Sequence, residues 1–215
     1  MLFFVSFILI LINTKSVFAN VQQNRGLVTV DVIGESMCPD VAGFVANQLL
    51  PTFKKFRNLL QINYHPFGPF ADTRCEVENA RMICTCQHGP EECQKNALQA
   101  CVIGALSNAS DYLDIVACTQ GPSGFNEAFT NCIANSTVSG KLNQNRMLQC
   151  ASTDEGKLLM ARHGILSRKV HENINWVPWI AINGVRIPAA EEHFEDVLCN
   201  QYFDPRPPEC PSLKA

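Results

Sequence analysis

The chain has 215 residues and a formal net charge of −3 at pH 7, long enough for one domain with its own core but with no basic surplus for a nucleic-acid footprint. Its eleven cysteines read as a disulfide framework built in an oxidising compartment, which argues against a cytosolic protein with reduced thiols. An odd number leaves one thiol over, either linking two chains or standing unpaired.

Residues 1–19 join the apolar run Leu2 to Ile12 to the small-residue site Val17-Phe18-Ala19. This pattern is that of a signal peptide cut after Ala19, leaving a domain over residues 20–215. The run is short for a bilayer and no later run is long enough, so no transmembrane segment is expected. Leu27 to Ile33 is rich in β-branched residues and ends at Gly34, which predicts a strand. Val41, Phe44, Val45, Leu49, Phe53 and Phe56 then recur at spacings of three and four, predicting a helix with Pro39 in its first turn. Pro51 falls inside that pattern and is expected to kink or end the helix. Leu60 to Tyr64 is a second strand candidate, followed by a turn at His65-Pro66-Phe67-Gly68-Pro69.

From about residue 74 to residue 149 the chain is rich in cysteine, with short helical patterns such as Ala97 to Leu106. It reads as a disulfide-stapled helical insertion. Asp154-Glu155-Gly156 opens another helix, with acidic residues in the first turn where the helix dipole favours them. Trp179 to Ile182, Asn183-Gly184 and Val185 to Ile187 form a strong hairpin signal. Ala190 to Cys199 predicts a last helix, and the proline-rich end could be tied down by Cys199 and Cys210. The order strand, helix, strand, helical insertion, hairpin, helix is that of a thioredoxin-like α/β fold.

The run from Cys86 to Cys101 carries a CQHG start, Glu92 before Cys93 and Asn96 after it. It resembles the signature of the gamma-interferon-inducible lysosomal thiol reductase family. That resemblance implies a C-x-x-C or C-x-x-S redox site near the start of the mature domain, where this chain reads Cys38-Pro39-Asp40-Val41. It also implies that Val177-Pro178-Trp179 is the family's cis-proline segment, with Pro178 shaping the substrate site beside Cys38. On this reading Cys38 is the residual nucleophile and the odd thiol. Cys75, Cys84, Cys86, Cys93, Cys101, Cys118, Cys132, Cys150, Cys199 and Cys210 are then the disulfide candidates, their connectivity open.

A thiol at a helix start meets free backbone N–H groups and a dipole that favour its thiolate, while the nearby carboxylate of Asp40 disfavours it. Disulfide reduction by a dithiol needs a second thiol to break the mixed disulfide, and Val41 has none. The expectation is a protein without efficient dithiol reductase activity that acts as a binding module for a protein or cell surface. The alternative is a monothiol reductase or exchange enzyme using Cys38. An intermolecular disulfide through Cys38 is a further expectation.

Cys84, Cys86, His88 and Cys93 have zinc-like spacing, but oxidation and the resemblance favour disulfides, so no metal and no cofactor are expected, and His88 reads as a hydrogen-bonding residue. Gly121-Pro122-Ser123-Gly124 lacks the last glycine of a nucleophile elbow and reads as a loop with no clear helix after it. The remaining histidines show no recognisable spacing, and Trp176 and Trp179 read as core or rim aromatics. Sequons at Asn108 and Asn135 permit glycosylation. Without a retention sequence at Ser212-Leu213-Lys214-Ala215, the mature protein is expected outside the cell or, alternatively, in an endolysosomal lumen.

Overall fold

The computed structural model describes residues 26–135 and 140–212. The signal peptide expected over residues 1–19, residues 136 and 137 of the second sequon and the last three residues lie outside these. Strand β1 (Val28–Gly34) leads through a turn into α1 (Pro39–Phe44), a π-helical turn (Val45–Leu49) and α2 (Leu50–Phe56), and then into β2 (Leu60–Pro66). β1 pairs in parallel with β2 and antiparallel with β5 (Trp179–Ile182), which pairs with the short β6 (Val185–Arg186). The sheet order is β2-β1-β5-β6. With helices supplying the crossover between parallel β1 and β2, the fold is thioredoxin-like α/β.

β1 is the centre of this sheet because Val30, Val32 and Ile33 are fully buried and Asp31 hydrogen-bonds to a side chain on β2. The helix does not end at Pro51, although an end is one of the two outcomes the sequence allows. The proline ring cannot donate a hydrogen bond, and the wide turn just before it, where the Leu50 N–H donates to the Val45 carbonyl, lets the helix continue to Phe56. The Asn-Gly turn is present, with Asn183 and Gly184 both at positive φ (50° and 79°), as a tight hairpin requires.

The insertion differs from the expected all-helical segment in opening with a hairpin, β3 (Arg74–Glu78) and β4 (Arg81–Thr85). Its strands are mostly exposed, so they carry little apolar alternation, and the Cys75–Cys84 disulfide links residues directly across the ladder. The helices α3 (Pro90–Leu106), α4 (Ala109–Cys118), α5 (Phe125–Phe129), α6 (Gln144–Ser152) and α7 (Asp154–Val170) follow. α3 is buried around most of its circumference, including Lys95, Asn96 and Gln99, which makes it the central strut of the insertion. Cys101 on α3 is bridged to Cys150 on α6 across 49 residues, a closure worth about 4 kcal/mol by chain entropy. Cys118–Cys132 and Cys199–Cys210 close shorter loops. The last predicted helix is displaced: a 3-10 turn (Pro188–Glu191) comes first, and α8 (Phe194–Val197) runs on into a π-helical turn to Tyr202.

Gly34, the last residue of β1, is where the strand passes closest to the first helix. A Cβ there would lie 2.6 Å from a methyl of Val41 and 2.9 Å from the Tyr64 hydroxyl. Both neighbours are buried, so neither has room to retreat. Gly34→Ala is therefore expected to destabilise the protein by about 1–3 kcal/mol through overpacking, seen in urea as a lower midpoint with an unchanged slope.

Candidate functional site

The turn after β1 delivers Glu35, Ser36, Met37 and Cys38 to the start of α1. Cys38 occupies the N-cap position with extended backbone (φ −68°, ψ 124°), and Pro39 takes the first helical position. The sulfur faces the backbone N–H groups of Val41 and Asp40, as a thiol at a helix start should. Cys38 is nonetheless only 8% exposed and unpaired. Burial pushes the thiol above its ordinary range, the Val41 and Asp40 N–H groups pull the other way, and the carboxylates of Asp40 and Glu35 add to the rise. Val41 is fully buried against Gly34.

The Cys86–Cys101 run is the support beneath this turn. Cys86 and Cys93 are joined, and Gly89, at φ 90°, makes the bend into α3 that a side chain would resist. Asn96 accepts the Ser36 N–H at 2.9 Å, and the Ser36 hydroxyl donates to the Glu92 carbonyl at 3.4 Å. The Ser36 carbonyl accepts the Gly121 N–H at 2.9 Å. Glu35 is fully buried, and burial, together with the neighbouring Glu92, pushes its carboxyl up to about 8 against the pull of the Thr73 hydroxyl. His88 bonds Glu92 through its ring (2.6 Å) and through its N–H (3.1 Å). His88 is thus hydrogen-bonded, as the sequence suggests, and it stands between Glu92 of the motif and Glu35, which sequence reasoning did not single out.

The Val177–Pro178 peptide is cis. Trp179 pairs with Ile33 in the sheet, which brings Pro178 to the same end of β1 as the Cys38 turn. Trp179 is buried under the Arg186 guanidinium at 4.2 Å from the ring centre, whereas Trp176 is half exposed.

The cysteines of the zinc-like set are consumed by the Cys75–Cys84 and Cys86–Cys93 bridges. Contrary to the sequence reading, a helix does follow Gly124, and the loop before it is held by the buried ammonium of Lys95, which donates to the carbonyls of Gly121 (2.6 Å) and Ser123 (2.9 Å). Asn108 and Asn135 are both exposed, and the Asn108 side-chain Oδ1 caps α4 by accepting the Ser110 N–H.

A cavity of about 550 Å³ opens elsewhere, lined by Asp31, His65, Tyr112 and His163 among others, and Cys38 does not line it. The Nδ1 atoms of His65 and His163 are 3.2 Å apart, and His65 Nε2 lies 3.6 Å from Asp31. Ninety-eight positions separate the two histidines, so their spacing gave no signal. Burial, His65 and Arg162 push His163 down to about 3. Burial alone would raise Asp31, but the neighbouring imidazole of His65 and the hydrogen bond donated by Asn63 hold its carboxyl below the ordinary range.

A thioredoxin-like sheet with a cysteine at the first helix start and a cis-proline at the same end of the central strand defines the class of thiol–disulfide oxidoreductase-type proteins. Over residues 29–136 the chain matches the family described as gamma interferon inducible lysosomal thiol reductase (GILT). It is 36% identical over 94% of its length, and 93% of the other's, to a GILT-like protein of Caenorhabditis elegans. It is 24% identical to the gamma-interferon-inducible lysosomal thiol reductase of Mus musculus, covering 86% of this chain and 73% of that one. The chain belongs to the GILT family. Its fold is similar to that of Chlamydia trachomatis DsbA, with a TM-score of 0.51 at 11% identity over 74% of this chain and 76% of that one. Among the described residues no helix is long and apolar enough to cross a membrane.

Two outcomes follow from these environments. Alkylation of native Cys38 by iodoacetamide is expected to be slow at neutral pH and to accelerate above the ordinary thiol range, with Cys38→Ser abolishing the label; fast labelling at pH 7 would contradict the buried, raised thiol. For His163, whose folded value lies below the unfolded one, stability is fully present above about pH 6.5 and declines as pH falls toward 3. Read as the difference between wild type and His163→Gln in urea titrations, the His163 contribution should fall by about 2 kcal/mol between pH 7 and 5, while the raised Glu35 carboxyl, common to both proteins, changes stability in the opposite sense and cancels in that difference.

Proposed function

We propose that this GILT-family chain is secreted and acts chiefly as a binding protein built on a redox scaffold, without efficient dithiol reductase activity. The observation that carries this reading is the fully buried Val41 in the fourth position of Cys38-Pro39-Asp40-Val41. A mixed disulfide formed at Cys38 would have no neighbouring thiol to release it, because the other cysteines of the described residues are paired. The recessed sulfur and raised thiol act in the same direction by lowering the thiolate fraction at neutral pH. The half-exposed Trp176, two residues before the cis-proline, offers an aromatic contact to a protein or cell-surface partner. The leader over residues 1–19 and the exposed Asn108 and Asn135 support passage through the secretory route with glycosylation at both positions.

A monothiol reading has one specific support. The Asp40 and Val41 N–H groups face the sulfur as they would face an attacking thiolate. An external thiol such as glutathione would then release the mixed disulfide in a second step. An intermolecular disulfide through Cys38 belongs to the same reading.

Disulfide reduction by the wild type, Cys38→Ser and Val41→Cys, at acidic and neutral pH, separates the two. The expected result is activity at background level in the first two and a gain of at least about tenfold in Val41→Cys, which supplies the resolving thiol. Wild-type turnover that Cys38→Ser abolishes would establish the monothiol enzyme instead.

A further inference from the structure

Glu35, His88 and Glu92 lie at the base of the Cys38 turn with one possible ligand atom from each within 4.8 Å of the others. Hydrogen bonds sort the four carboxylate oxygens. Glu35 Oε1 accepts from the Thr73 hydroxyl at 3.1 Å, and Glu92 Oε1 accepts from the His88 N–H at 3.1 Å. The two Oε2 atoms remain, and both face His88 Nδ1, at 3.7 Å from Glu35 and 2.6 Å from Glu92. Glu35 Oε2 is fully buried with no hydrogen-bond partner.

We infer that these three side chains form a binding site for a divalent transition-metal ion of the zinc type. Bonds of about 2.0–2.2 Å in a tetrahedral zinc site hold ligand atoms roughly 3.3–3.6 Å apart. The two separations at His88, 3.7 and 2.6 Å, bracket that range, and all three ligand atoms lie within 4.8 Å of one another. One imidazole and two carboxylates suit zinc and its transition-metal neighbours better than calcium or magnesium, which prefer oxygen throughout.

The surroundings hold the ligands in place. Thr73 is itself fixed, its hydroxyl accepting the Gln87 N–H at 3.2 Å while it donates to Glu35, the arrangement by which outer groups orient metal-binding carboxylates. Gly68 lies so close over Glu35 that a Cβ there would fall 1.8 Å from Oε1, leaving the carboxylate no other rotamer on that side. His88 is the open side of the site, with its side chain 33% exposed. Two adjacent buried carboxylates repel one another, and a bound cation relieves that repulsion while satisfying the unpartnered Oε2.

The test uses the whole mature chain, untagged, with disulfides intact and stripped by EDTA, titrated with zinc chloride by calorimetry at pH 7. One zinc per chain is expected, weakened about tenfold or more by His88→Asn and by Glu35→Gln and unchanged in Cys38→Ser. Far-UV and near-UV circular dichroism report whether each variant folds. Should Glu35→Gln misfold, His88→Asn, at the exposed edge, decides alone. No zinc binding by the wild type would overturn the site and leave a proton as what neutralises the pair. Undiminished binding in His88→Asn, or loss in Cys38→Ser, would place the metal elsewhere and overturn it equally. Cobalt gives a separate reading, because an intense thiolate charge-transfer band would put the metal on Cys38.

Discussion

The turn between β1 and α1 must pass through the interior, and a backbone that does so needs a partner for each of its polar groups. Here α3 and the loop after α4 supply them: Asn96 takes the Ser36 N–H, Gly121 donates to the Ser36 carbonyl, and the Glu92 carbonyl receives the Ser36 hydroxyl. Gln120 completes the set. With its amide nitrogen turned toward the Glu35 and Ser36 carbonyls (3.1 Å each), it also accepts from the Tyr64 hydroxyl at 2.6 Å. The position of Cys38 therefore depends on an insertion that begins dozens of residues downstream, and the sheet alone would not hold the turn in this form.

This dependence gives the Cys86–Cys101 run a physical meaning. Gly89 allows the bend, Cys86–Cys93 fixes it, Glu92 and Asn96 project from the first turns of α3 toward the turn, and Cys101 anchors the helix to α6. Each residue of the motif has a distinct mechanical or hydrogen-bonding task, so its spacing follows the pitch of α3. The same helix carries a buried lysine that ties down the loop after α4, extending the support past the motif itself.

The readable parts of the sequence were those whose signal is local. A β-branched run gave β1, Asn183-Gly184 gave the final hairpin, the element order gave the fold, and the Cys86–Cys101 motif gave the family. β3 and β4 were missed because their side chains are mostly exposed, and their turn uses Asn79-Ala80 at positive φ in place of Asn-Gly. Of the kink or end expected at Pro51, the end does not occur, because a π-helical turn precedes the missing donor. Glu35 and the His65–His163 pair were invisible for another reason. Their surroundings come from segments far apart in the chain, and neither residue type nor spacing reports burial of that kind.

No disulfide of the described residues joins β1, β2, β5 or β6 to one another; the bridges lie in the insertion and at the carboxyl end. The molecule thus has two kinds of cohesion, packing in the sheet and covalent closure in the part that props up the Cys38 turn. A strong reductant would reach these unequally: it leaves the sheet's own contacts untouched while loosening the bend at Gly89 and the anchor of α3. The geometry around the lone thiol is in this sense conditional on an oxidised neighbour, even though that thiol takes part in no bridge itself.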